Sequence, residues 1–237
     1  MLNTIVPLMS SIISFVFTFF VFKRYLERKH TYLLVWGIGL IFYGIGGFCE
    51  FYYGSFGWNA LVFRLWYLFG AILVAAWLGQ GTVYLLAKEN WARVLTIILM
   101  LGSLYATYKI FTAQLDPNLM IGAGHTGAEL SGHAITTDGV RILTPFFNLY
   151  GTLTLVGGAL YSSFIFWRKR VLLHRALGNI LIAVGAIMPA FGGLFSRLQV
   201  PGALYLGELL GVIFIFLGFL RATAPMGETA QVPASAD

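Results

Sequence analysis

Four ionisable side chains interrupt the long apolar runs of this sequence: Glu50, Arg64, Arg197 and Glu208. A charged group at the centre of a membrane helix costs at least about 2.5 kcal/mol, so such groups face a bundle interior and pair with one another. The acids and bases balance, and the simplest arrangement joins Glu50 to Arg64 and Arg197 to Glu208 across adjacent antiparallel helices, with cross-pairing through a possible internal repeat equally allowed. Such pairs have two uses. They fix helix register, a common role of buried charge, or they form a gate or polar pocket. Asn148 is positioned to extend that pocket, and Glu208, the deepest of the set, is the leading functional group. Gln80, Thr82 and Asn179 are further polar residues in apolar stretches, where amides and hydroxyls commonly bond helix to helix. Pro7, Pro145 and Pro189 free backbone carbonyls wherever they interrupt a helix.

A second constellation lies in the segment HTGAELSGH, where His125, Glu129 and His133 stand at i, i+4 and i+8. On a helix these form one stripe with the ligand types that zinc or copper accepts. Gly124, Gly127 and Gly132 oppose a helix there. The lone cysteine, Cys49, permits neither an intramolecular disulfide nor a multi-thiolate metal site. No serine–histidine pair shares a membrane depth, no His-x-x-x-His motif occurs on a helix, and no buried histidine pair is available to haem. These readings argue against an intramembrane enzyme and against a haem protein.

The elements that position these groups follow from composition. Of the 237 residues, 59% are hydrophobic and 10% are charged, against about 25% charged in a soluble domain. Lipid is the solvent this surface requires. A spanning helix needs about 20 apolar residues, and spans of that kind fall at 2–22, 31–53, 60–86, 91–112, 141–167, 175–197 and 202–221. They must be helical, since an open strand in hydrocarbon leaves its amides unpaired. The expected class is an all-α integral membrane protein with one seven-helix domain over residues 1–221, a polar external loop at 113–140 and a disordered tail at 222–237.

Sidedness comes from lysine and arginine. The segments KRYLERKH and RKRVLLHR, with Lys88, Arg93 and Arg221, gather eleven of the fifteen basic residues on one side. The positive-inside rule makes that side cytoplasmic, placing the N-terminus outside and the C-terminus in the cytoplasm. Lys23 and Arg24 follow the first apolar run rather than precede it, the order of a retained helix and not of a cleaved signal. The same placement explains the net charge of +6 without nucleic acid. Trp58, Trp91 and Trp167 fall at helix edges, whereas Trp36, Trp66 and Trp77 lie deeper and want partners for their indole N–H groups.

An internal repeat is suggested by YLLVWGIGLIFYGIGGF and NILIAVGAIMPAFGGLF, which align Gly39 with Gly185, Gly46 with Gly192 and Gly47 with Gly193. FVFKR and FIFWR precede them. Helices 1–3 would then recur as helices 5–7 in the same orientation, with helix 4 as connector. In helix count and order this 3+1+3 layout resembles the sugar-transporting SWEET proteins and the microbial rhodopsins. The seventh span, ALYLGELLGVIFIFLGFLRA, has no lysine for a retinal Schiff base, and the Pro-Gln pairs of the SWEET-related families are absent. The expectation is a multi-pass protein of a cell membrane, of prokaryotic cytoplasmic type, that transports a small molecule through an outward-facing polar pocket. The alternatives are a receptor or sensor for a lipid or small ligand, and a structural subunit of a membrane complex.

Overall fold

The computed structural model describes residues 2–119, 130–169 and 173–223, the side chains of Leu2 and Arg197 excepted. Seven helices are long and apolar enough to cross a membrane: α1 (Leu2–Arg28), α2 (Thr31–Phe56), α3 (Ala60–Leu86), α4 (Glu89–Thr112), α5 (Leu143–Arg168), α6 (Leu173–Arg197) and α7 (Ala203–Thr223). The chain is thus a multi-spanning membrane protein by the length and character of its helices. The largest departure from the expected bounds is at α1, which continues through Lys23–Arg28. Lys and Arg are good helix formers, they suit a helix C-terminus, and their stems reach the interface while the charge stays wet. Lys29, at φ 55°, ends the helix. Pro145 is the third residue of α5, in the first turn where no intrahelical N–H is lost, so it does not interrupt the helix. Pro7 and Pro189 do lie inside α1 and α6.

Six helices close a ring in the order α1, α2, α3, α5, α6, α7, and α4 stands outside it against α3. Lipid supplies no hydrophobic force between helices, so close backbone approach and hydrogen bonds must hold them. The α6–α7 seam illustrates this: Gly178, Gly185 and Gly192, one every seventh residue, face Gly218, Gly211 and Gly207. A Cβ at Gly185 would stand 2.6 Å from the Gly211 carbonyl oxygen. The α2–α3 crossing uses Gly46 against Gly70 in the same way. Between α1 and α2, Ser11 and Ser14 donate to the carbonyls of Gly44 and Leu40, each at 2.8 Å. Along α3, Trp66–Leu73 winds as a π-helix, a form that recurs at functional sites.

The described parts of 113–142 are more than a polar connection. Leu115 bridges to Ile135, the Gln114 amide donates to Thr137 Oγ1 at 2.8 Å, and Ala113, Leu130, Ala134, Ile135 and Val140 are buried. They join Phe63, Tyr67 and Ile110 in a core that seals the end of the bundle where α1 begins. A second core, built on Phe17, Leu40, Leu155, Ile215 and Phe219, fills the middle and the opposite end of the ring. The expected tail falls mostly within 224–237, outside the described residues.

Candidate functional site

At the end where α1 begins, the ring encloses a cavity of about 590 Å³. That is within the range of small-molecule sites, about 300–1,000 Å³. Its walls come from α2, α3, α5, α6 and α7, and Gly193 on α6 is a lining position where an added Cβ would meet only Leu204, 3.9 Å away. Its charged lining groups, among those described, are Glu50 and Glu208.

Glu50 is 1% exposed. Its Oε1 accepts a hydrogen bond from Trp66 Nε1 at 2.8 Å, from the first residue of the π-segment. Glu208 is half-buried on α7, and its backbone carbonyl accepts from the Tyr43 hydroxyl at 2.6 Å, which pins α2 to α7 across the ring. Asn148 lines the cavity and donates through Nδ2 to the Ala71 carbonyl, 3.1 Å away within the π-segment. A π turn displaces carbonyls from their usual partners, and a side-chain amide is a ready substitute. Thr144, also on the wall, donates to the Tyr67 hydroxyl at 3.0 Å.

The structure therefore gathers Glu50, Asn148 and Glu208 at one cavity. Arg64 goes elsewhere. Its guanidinium donates to the carbonyls of Ile110, at 2.5 Å, and Ala113, at 3.0 Å, at the C-terminal end of α4. The pairing of Arg64 with Glu50 is accordingly replaced by Trp66 on one side and a helix end on the other. Orphan carbonyls at a helix C-terminus carry partial negative charge and attract cations. Arg197 closes α6, and its side chain lies outside the described residues. His125 and Glu129 lie outside them too, while His133 is exposed with its Nδ1 2.6 Å from Ser131 Oγ. Among the described residues no group of three or more His, Cys, Asp or Glu is placed to hold a metal ion.

Gln80 proves to be a fastener. It is wholly buried, donates to the Ala92 carbonyl and Thr96 Oγ1 at 2.9 and 2.8 Å, and accepts from the Tyr150 hydroxyl. Sequence reasoning did not find Tyr43, Thr144 or Tyr150, since aromatic and hydroxyl residues are unremarkable in apolar helices. Trp66 carried a usable signal, being a deep indole in want of an acceptor.

A second cavity, of about 380 Å³, opens at the opposite end, among Arg24, Tyr32, Trp36, Ser162, Arg175 and Asn179. The two are separated by one turn of helix. Leu78, Leu155, Ala186 and Ile215 line the first, and the residues four positions further toward the other end, Thr82, Ala159, Ile182 and Phe219, line the second. Four residues of α-helix span about 6 Å. Leu78, Leu155, Ile182, Ile215 and Phe219 belong to one buried apolar cluster, closed on the α2 side by Trp36 and Tyr43. No family model, curated protein or solved structure matches the chain.

Proposed function

We propose that the chain is a small-molecule transporter of a cell membrane, whose solute binds in the carboxylate-lined cavity and crosses the single apolar turn beneath it. The observation that carries this reading is the pair of cavities on one axis, divided by a single turn of apolar side chains. Transport by alternating access requires a midplane site reached from either side and a thin barrier that can be remade. Glu50 and Glu208 favour a solute with a positive charge or several hydrogen-bond donors.

The positive-inside rule supports a direction. Ten basic residues among those described gather at the end of the second cavity, which by that rule makes that end cytoplasmic, the first cavity outward-facing and the N-terminus external. A parallel 3+1+3 repeat is supported by packing as well as by sequence. Gly39 meets Leu78 and Gly46 meets Gly70; Gly185 meets Ile215 and Gly192 meets Gly207. The first partners are 146 residues apart in both cases, 39 to 185 and 46 to 192, and the second partners 137, 78 to 215 and 70 to 207. The peripheral α4 suits a connector that restores orientation between two three-helix halves.

The test is solid-supported membrane electrophysiology on proteoliposomes, with a panel of amines and neutral polar solutes. Wild type gives solute-dependent currents, and Glu50→Gln and Glu208→Gln abolish them while the protein remains folded. Flux that survives both substitutions removes this site. Saturable stabilisation by a solute without flux would instead favour a receptor, and loss of stability outside a co-purifying complex would favour a structural subunit.

A further inference from the structure

We infer that the second cavity is a binding site for a phosphate-bearing anion, independently of what occupies the first. Among the described residues its charged lining groups are Arg24 from the end of α1 and Arg175 from the start of α6. Tyr32, Ser162 and Asn179 add two hydroxyls and an amide from three helices, α2, α5 and α6. No carboxylate is among the described lining residues. A neutral or cationic ligand would leave two guanidinium groups uncompensated in a half-buried space, whereas a phosphate accepts from both and from the surrounding donors.

General positive-inside bias does not account for this arrangement. Other basic side chains at the same end, Lys23, Arg28, Lys88, Arg168, Lys169 and Arg221, are exposed, as residues that only set topology should be. Arg24 and Arg175 are instead half-buried and turned into one cavity. Arg24 Nη2 is held by the Thr223 carbonyl at 2.9 Å, which orients its guanidinium. Arg175 Nε is buried and has no hydrogen-bond partner among the described residues. A buried donor left without an acceptor is destabilising, more so in a charged group, so an acceptor belongs there. Tyr32 is the second residue of α2 and Arg175 the third of α6, so two helix N-termini add positive potential at the same place.

The volume selects the ligand class further. About 380 Å³ is the space of roughly a dozen waters at about 30 Å³ each. A bare ion leaves most of that empty, and an organic phosphate fills it. Trp36 and Phe219 form the apolar floor, their rings 6.1 Å apart, against which the organic part would rest. The same chemistry belongs to a soluble phosphorylated metabolite and to the glycerophosphate headgroup of an anionic lipid.

Two probes with one headgroup separate these sources, both used on the full chain in phosphatidylcholine nanodiscs. Glycerol 3-phosphate is titrated by scanning fluorimetry; phosphatidic acid is mixed into the discs and retained lipid is counted by native mass spectrometry. One probe should bind saturably at one per chain. A response to the soluble probe identifies a free phosphorylated compound, and retention of the lipid alone identifies a headgroup. Arg24→Gln and Arg175→Gln should each weaken binding about tenfold or more, the loss of a charge-assisted hydrogen bond. Arg168→Gln and Arg221→Gln, exposed at the same end, should leave it within about twofold, as screened surface charges do. Failure of both probes to bind saturably overturns the site, and so does equal weakening by all four variants. If an arginine variant does not fold, Asn179→Leu keeps every charge while removing one donor and filling space. Undiminished binding in that variant overturns the site as well.

Discussion

Glu50 and Arg64 have the same standing in the sequence, opposite charges in neighbouring apolar segments, and the structure treats them differently. Glu50 is held in a cavity wall by an indole N–H, and Arg64 is spent on two carbonyls at the end of α4. Counting charges finds both residues but cannot see helix-end carbonyls, which carry partial charge without being side chains. That is why the candidate residues were legible and their pairing was not. Trp66→Phe removes the indole donor from a buried carboxylate. A hydrogen bond to a charged group contributes about 1.5–3 kcal/mol, and chemical denaturation in detergent should show a loss of that order with the helices retained. Arg64→Met should act locally instead. Amide exchange at 106–113 should quicken while α2 and α7 keep their protection, because the guanidinium satisfies carbonyls of the last turn of α4 and the residue beyond it.

The seven helices were readable because hydrocarbon tolerates little else, and their bounds shifted most where the basic residues of Lys23–Arg28 extend α1 into the interface. What joins them was less readable. Gly185, Gly192 and Gly46 were noticed as a repeating pattern, yet only the structure shows which backbone each one meets. Two glycines give opposite expectations. Gly185→Ala puts a methyl 2.6 Å from the Gly211 carbonyl oxygen and 2.8 Å from the Ile215 nitrogen, both backbone atoms that cannot swing aside. It should separate α6 from α7 and lower the melting temperature clearly. Gly157→Ala meets nothing within 4 Å and should be tolerated. Near its start α4 is fastened by the Gln80 amide, which donates to Ala92 and Thr96. Gln80→Leu leaves the Tyr150 hydroxyl and Thr96 without that partner, and limited proteolysis should then cut at the junction of α3 and α4 first.

The whole molecule is a six-helix ring holding two unlike cavities, the first lined by Glu50 and Glu208 and the second by Arg24 and Arg175. Residue types alone pointed to polarity in the bundle, but the division into two spaces depends on the apolar turn between them. Leu155 and Ile215 are buried at 4% and 2% exposure and sit on the first-cavity side of that turn. Truncating both to alanine removes side-chain volume from the barrier rather than from either polar wall. Proteoliposomes carrying Leu155→Ala with Ile215→Ala should leak glycerol passively, as read by stopped-flow light scattering, whereas wild type and the single variant Leu149→Ala on the exposed face should remain tight.

The π-helical stretch in α3 gives this helix slack that no other described helix has. A π turn holds an additional residue compared with an α turn, so Trp66–Leu73 keeps length in reserve. Drawing it out to α pitch rotates the chain on the Arg64 side by about 100° and advances it by about 1.5 Å. Trp66 then swings away from Glu50, while Leu78, beyond the stretch, stays in the barrier. The hydrogen bond from Trp66 to Glu50 thus depends on the π winding, which sets the phase of Trp66 in the cavity wall relative to Leu78.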